Sequence, residues 1–350
     1  MITLLRVEIT VEPGWAVGTV PLGDPALDRD VLLDADGHPW VPGSSLAGSL
    51  RAHLAAVDAA ADTTGTDRAL ETRLMGARPP KHRDDPAEAS RLWLLGTRFT
   101  PAGTATAVLE TVGQTAIDRR RGAAAATSLR YSRSVASGGT LTAYLRYDQA
   151  LTRDGTAVTV VDEGVLTDEE LRVLAGWRPA IGRGRSTGGG RARLRGISWG
   201  TIDPSGRAGM RIWLANDGAK LVDAVATTAV PIPDDVDDQP WLEAEFHIED
   251  ALLVGDPRPT GAATSRTRGG QPIMPGSAWK GIIRSRVEYI LRSVHATESA
   301  CGRVPGCGTC RTCEVFGHPG QRGLLAFTDS VIRPVDPETP DPVKNPADDP

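Results

Sequence analysis

Val41-Pro-Gly-Ser-Ser-Leu-Ala-Gly-Ser-Leu-Arg51 recurs late in the chain as Met274-Pro-Gly-Ser-Ala-Trp-Lys-Gly-Ile-Ile-Arg284. Each copy reads as a helix start, in which Pro and Gly end the preceding segment and Ser supplies an N-cap oxygen. The helices then carry apolar stripes, Leu46, Leu50 and Leu54 in one copy and Ile283, Val287 and Ile290 in the other. A second match lies upstream of each helix. Arg6-Val-Glu-Ile-Thr-Val11 and Glu243-Ala-Glu-Phe-His-Ile248 both alternate apolar and polar residues, the period of a half-buried strand. Two elements repeated in one order describe a duplicated domain. The expected layout is a first domain over 1–200, a linker over 201–240 and a second domain over 241–350. Strand-like runs near 104–112 and 140–146, and a helix over 168–176 capped by Thr167, complete an α+β plan, an antiparallel sheet with helices on one face.

Apolar residues make up 40% of the 350 and charged residues 24%, enough for a buried core and unlike a disordered chain. No apolar run is long enough to cross a membrane. The N-terminus enters a strand pattern at once, so no export signal is expected and a cytoplasmic location is. The net charge of −5 excludes a uniformly basic coat, yet the charge is segregated. Residues 114–133 hold five arginines and one acid, and residues 178–195 hold six arginines and no acid. Basic loops on an acidic body suit a polyanion held in a groove. The last twenty residues hold six prolines and five acids and predict a disordered tail.

Cys301, Cys307, Cys310 and Cys313 are the only cysteines and fall within thirteen residues. That density and the two x2 gaps predict a tetrahedral four-thiolate Zn2+ site with a structural role. A disulfide pair or an iron–sulfur cluster is the alternative, and His318 is a possible substitute ligand.

Three motifs in order carry a resemblance: the Pro-Gly-Ser-Ser helix start, Ile117-Asp118-Arg119-Arg120-Arg121-Gly122-Ala123-Ala124, and the Gly/Arg-rich residues 181–195. Together they resemble the RAMP superfamily, and within it the backbone subunits of type III CRISPR effectors (the Csm/Cmr class). The resemblance implies RRM-like, ferredoxin-type domains in tandem, here with the second incomplete and carrying a zinc-binding insertion. It also implies a ribonucleoprotein that binds CRISPR RNA and complementary target RNA beside other effector subunits or further RAMP domains. Such subunits push a hairpin thumb through the guide–target duplex, and many cut the target with a divalent metal, Mg2+ or Mn2+, held by an aspartate before the Pro-Gly-Ser-Ser helix.

Carried onto this chain, that cutting residue is Asp28, in Leu27-Asp28-Arg29-Asp30-Val31, with Asp30 as runner-up. The corresponding loop of the second copy, Thr260-Gly-Ala-Ala-Thr-Ser-Arg-Thr-Arg268, has no acid, so that copy is expected to bind RNA without cutting it. Ser44, Ser45 and Arg51 in one copy, and Ser277, Lys280 and Arg284 in the other, are the expected phosphate contacts at helix starts. An ordinary capped helix with surface bases is the bland reading. Arg119, Arg120, Arg121, Arg130, Tyr131 and Arg133 would serve the thumb, and Arg183 and Arg185 the Gly-rich loop. A solvated hairpin and a flexible connector are the plainer accounts of those two segments. The function expected is a metal-dependent, RNA-guided endoribonuclease; a non-catalytic RNA-binding scaffold is the alternative.

Overall fold

The computed structural model describes the chain apart from residues 22–23, 62–68, 77–88, 104–105, 119–120, 122, 155–156, 235–240, 256–264, 269, 295–298, 304–305 and 335–350. The acidic, Pro-rich tail therefore lies almost wholly outside the described residues. The chain divides into two compact units: residues 1–116 with 124–247, and residues 117–123 with 248–350.

The first unit begins with β1 (Ile2–Val11), whose alternation is real: Leu5, Val7, Ile9 and Val11 are buried on one face. Two short strands, β2 (Gly18–Thr19) and β3 (Asp30–Val31), bracket the acidic loop and pair with each other. Helix α1 (Gly43–Ala60) buries Leu46, Leu50 and Leu54, and the six-residue α2 (Leu70–Met75) follows it. Then come β4 (Leu92–Pro101) and a long hairpin arm. The arm rises through β5 (Leu109–Gln114) and returns through β8 (Arg130–Val135). Between them in sequence come the small pair β6 (Ile117–Asp118) and β7 (Ala123–Ala124), β6 falling in the segment that groups with the second unit.

Strand β9 (Gly139–Asp148), the hairpin β10 (Ala150–Asp154) with β11 (Ala157–Asp162), α3 (Asp168–Ala175) and β12 (Ala192–Ile202) complete the core. Thr167 caps α3, as the sequence predicts, and does so in a full capping box with Glu170. The sheet order is β13-β12-β1-β9-β4, with β13 (Thr228–Val230), and every neighbouring pair is antiparallel. The architecture is mixed α/β with an antiparallel sheet.

The stretch 201–230, read from sequence as linker, is instead folded. It holds α4 (Arg207–Ala215), α5 (Gly218–Val225) and β13, which pairs with β12. Leu221 and Val222 of α5 pack with Leu4, Tyr144 and Ile202 in a second buried cluster. Those sheet side chains need cover, and α5 provides it. The helices are therefore not confined to one face.

A buried ion network ties α2 to β9 and α3. Arg73 and Arg91 both pair with Asp162, Arg73 also pairs with Glu170, and the Tyr147 hydroxyl donates to Asp162. Burial, helped by that bond, pushes the Tyr147 hydroxyl up to about 12.

The second unit carries β14 (Thr267–Arg268), β15 (Gln271–Met274), α6 (Gly276–Ser293), α7 (Arg311–Phe316), the pair β16 (Gly317–His318) and β17 (Gln321–Arg322), and β18 (Ser330–Val331). Its sheet order is β14-β15-β18. The predicted strand over 243–248 does not form, and Trp241, Leu242 and Phe246 stand exposed. A strand exists by its ladder, and residues 243–248 belong to none of the sheets formed among the described residues. On α6, Ile283 and Val287 are half-buried and Ile290 is exposed.

The contrast between the two stripes gives a stability test. Leu50→Ala should cost about 3 kcal/mol in urea unfolding, since a fully buried leucine leaves a cavity. Ile290→Ala should cost less than about 0.5 kcal/mol, because its side chain is already solvated.

Candidate nucleic-acid interface and metal centre

Three segments far apart in sequence meet in the first unit: the loop 24–31, strand β8 at the foot of the hairpin arm, and the Gly-rich loop. Trp15, fully buried and edge-on to Phe99 at 4.9 Å, sits at their base. Gly14 N–H donates to Val135 O and Val135 N–H to Trp15 O, both at 2.8 Å. The acidic loop is stitched to the returning strand. Asp28 N–H donates to Tyr131 O at 2.9 Å, and Tyr131 N–H donates to the Asp28 carboxylate at 2.8 Å.

The two aspartates differ in circumstance. Asp30 is mostly buried and accepts from Arg133 through both carboxylate oxygens, at 3.1 and 3.2 Å. Arg133 also lies 3.7 Å from Asp24. Asp28 is exposed, and its carboxylate is bonded to a backbone amide and, among the described residues, to no arginine. Further along the loop, Asp34, Asp36 and His38 gather at an exposed turn, where Asp34 accepts from the amides of the other two.

The Gly-rich loop reaches this place through Arg183. Its amide donates to Ala16 O at 2.9 Å, and its Nη2 donates to Arg133 O. Gly182 has φ +65°, and a Cβ there would collide with Ala16 O, so only glycine allows the approach. The Arg183 Nη1 is buried and, among the described residues, has no hydrogen-bond partner. Burial, and then the neighbouring Arg29, push this guanidinium below the usual arginine range, against the pull of Asp30. Arg130, Arg185 and Arg121 are exposed; Arg119 and Arg120 lie outside the described residues.

The helix starts depart from the predicted form. Pro42, and not a serine, is the N-cap of α1; Ser44 and Ser45 occupy the first turn, and no side chain caps the helix. Gly43 is pressed against Leu94. Pro275 is likewise the N-cap of α6. There, however, the Gly276 amide donates to Asp329 at 2.8 Å, and Asp329 is paired with Arg268. Among the described residues, the duplicated start is thus met by a carboxylate in the second unit and not in the first. Lys280, half-buried in the first turns of α6, is held below the usual lysine range by burial and then by Arg284 and Arg322. Arg322 is a basic residue the motif reading missed.

Arg51 and Arg284, read from sequence as phosphate contacts, have intramolecular work. Arg51 donates to Met75 O and to Gly76 O and pairs with Glu71 at 3.1 Å. Arg284 donates to Gly317 O at 2.8 Å and to Glu288 at 2.9 Å. Each arginine therefore holds the end of the short helix that follows its own. Both short helices have six residues and end in a glycine of positive φ, Gly76 at +71° and Gly317 at +83°. Their carbonyls, unpaired at a helix end, need a donor.

Cys301 and Cys307 lie between α6 and α7, Cys310 is the N-cap of α7 and Cys313 lies within it. All four sulfurs lie within 4.8 Å of one another, and Cys301 and Cys313 are 3.7 Å apart. A tetrahedral Zn2+ with sulfurs at about 2.3 Å would space them about 3.8 Å apart, so the group could hold a zinc ion. All four cysteines are free thiols, which leaves no disulfide. Hydrogen bonds from Thr309 bring the Cys307 thiol down to about 5, and burial pushes Cys310 up to about 11. His318 is turned to Pro319 O and Gln321 and is not one of the four.

A family model described as RAMPs, the RAMP superfamily, matches residues 9–193 and 245–349. The chain belongs to the RAMP superfamily. That superfamily includes CRISPR-associated proteins, and membership implies association with RNA and CRISPR complexes in general. Its match covers the acidic loop, the hairpin arm and the cysteine cluster. No curated protein matches the chain. Among the described residues, no helix is long and apolar enough to cross a membrane.

Metal at the cysteines has a direct test. Purified chain should carry about one Zn2+ by elemental analysis, and Cys310→Ser with Cys313→Ser should release it. The second unit should lose protease resistance with it, since binding energy at such a site is folding energy.

Proposed function

We propose that this RAMP protein is an RNA-guided backbone subunit of a type III CRISPR effector (the Csm/Cmr class) that cuts target RNA at its first domain. The observation that carries the reading is the meeting of Asp28, the hairpin foot and Arg183 in one place. A half-buried arginine with an unsatisfied N–H is relieved by a phosphate, which returns the lost hydrogen bond and opposes the charge. In the first turn of a helix with no side-chain cap, Ser44 offers its amide and hydroxyl and Ser45, whose amide already donates to Pro42 O at 2.9 Å, its hydroxyl to a second phosphate. The strand–helix–strand–strand–helix–strand order of β1, α1, β4, β9, α3 and β12 supports an RRM-like, ferredoxin-type domain.

Cutting would use the RNA's own 2′-hydroxyl, whose oxygen attacks the adjacent phosphorus as the bond to the 5′-oxygen breaks. Asp28 suits this chemistry better than Asp30. It is an exposed hard-oxygen donor oriented by the Tyr131 amide, whereas Asp30 is neutralised by Arg133. A divalent ion, Mg2+ or Mn2+, bound there would oppose the charge that develops on the phosphate. The hairpin arm, with Leu129 and Ile117 exposed, suits a wedge that splays the target nucleotide into line.

A scaffold without activity is the second reading. It is favoured by one observation: among the described residues, Asp28 belongs to no three-ligand metal cluster. In the second domain, the carboxylate of Asp329 at the α6 start supports a weaker or different role in RNA binding there.

Asp28→Ala separates the readings. It should abolish cleavage of a complementary RNA, a loss of at least about 10²-fold in single-turnover rate, with guide and target retention by gel shift unchanged. Unchanged cleavage would leave the scaffold reading standing. Arg183→Ala should weaken RNA binding and flatten its salt dependence by about one phosphate contact.

A further inference from the structure

We propose that Arg284, Glu288 and Arg292 form the outer layer of the four-cysteine metal centre, with Arg284 as the positioning residue for Cys313. The three side chains stand at intervals of four on α6 and so share one face of it. Arg284 is central. Its Nη2 donates to Cys313 Sγ at 3.4 Å, its Nη1 to Gly317 O at 2.8 Å, and its Nε to Glu288 at 2.9 Å. One guanidinium thus joins a metal-ligating sulfur, the end of α7 and the body of α6.

Glu288 is fully buried, with Arg292 4.0 Å from its other oxygen. A buried carboxylate is costly unless cations and hydrogen bonds surround it. Arg292 in turn covers Gly302, next to Cys301, where a Cβ would displace its guanidinium. A Cβ on Gly306 would press on Cys313 Sγ and on the Arg284 guanidinium together. The loop is therefore shaped to this stripe at both ends.

Comparison of the two repeats supplies the independent argument. The matching face of α1 reads Arg51, Ala55 and Ala59. Arg51 performs the same helix-end clamp in the unit without cysteines, with Glu71 of the short helix as its acid, so the clamp alone needs neither an acid on its own helix nor the second arginine. Those two appear only where the thiolates are. Four thiolates on one divalent cation leave the centre with net charge of two negative units, and two arginines with one glutamate offset half of it. N–H···S bonds of this kind orient a thiolate and adjust its donor strength.

The test is a Co2+ titration of the full chain, read by thiolate-to-cobalt absorption, with Zn2+ back-titration for affinity. Arg284→Gln should weaken metal binding about 10- to 100-fold and move the charge-transfer band to lower energy, because a hydrogen bond to sulfur is lost. Arg284→Lys, which keeps a charged donor, should recover part of both effects. Arg51→Gln should change neither. Affinity and spectrum of Arg284→Gln equal to the parent chain would overturn the proposal while leaving the metal centre intact. A parent chain that takes up no Co2+ would overturn both. Should Arg284→Gln precipitate, hydrogen exchange of the parent chain decides. Metal removal should speed exchange over residues 284–292 and leave 51–59 unchanged, and equal exchange in the two states would refute the idea.

Discussion

Strand β1 is paired along its whole length on both edges, to β9 on one side and to β12 on the other, and the first unit hangs from that double ladder. Each backbone polar group of the strand is satisfied inside the sheet. Its side chains are shared between two buried clusters, Leu4 in one and Leu5, Val7 and Ile9 in the other. The turn that leaves it delivers Trp15 beneath the hairpin foot, and from there the chain runs into the acidic loop and α1. The placing of Asp28 against β8 follows from where β1 ends. The same alternation at 243–248, in none of the sheets among the described residues, makes no strand.

Charge at the first-unit site is organised by pairing and not by excess. Arg133 spans Asp24 and Asp30, and Arg183 reaches the carbonyl of that same Arg133. These bonds cancel most of the local charge and fix the loop, the hairpin foot and the Gly-rich loop relative to one another. Among the described residues of the site, the Asp28 carboxylate stays exposed, with Arg29, Arg130 and Arg185 also in solvent. Such a site presents a small number of placed charges to a polyanion, consistent with a net-acidic chain that nonetheless carries basic loops.

The two units use the same device at the end of their short second helix, then diverge in what surrounds it. Arg51 finds Glu71, whereas Arg284 finds Glu288 and a cysteine sulfur. The helix starts diverge too: α1 has no side-chain cap, and α6 meets Asp329. Repetition of sequence has kept the clamp and released the ends of the helix for different chemistry.

The sequence alone determined what depends on neighbours within a few residues or on period. The β1 alternation, the Leu46–Leu50–Leu54 stripe, the Thr167 cap and the cysteine spacing are all of that kind, because pleat, helical turn, cap and chelate loop are local geometries. The tertiary structure decided what depends on long-range approach. The pairing of Asp30 with Arg133 across 103 residues has no local signature, nor does the engagement of Arg51 and Arg284 with helix ends. A run such as residues 201–230 looked like linker because its strand is three residues long and α4 buries no side chain. Only the sheet edge and the uncovered face of β1, β9 and β12 gave it a place to fold. Charge and helix starts advertise phosphate binding in the sequence, but whether an arginine is free to bind is settled by which carbonyls and carboxylates the fold brings within its reach.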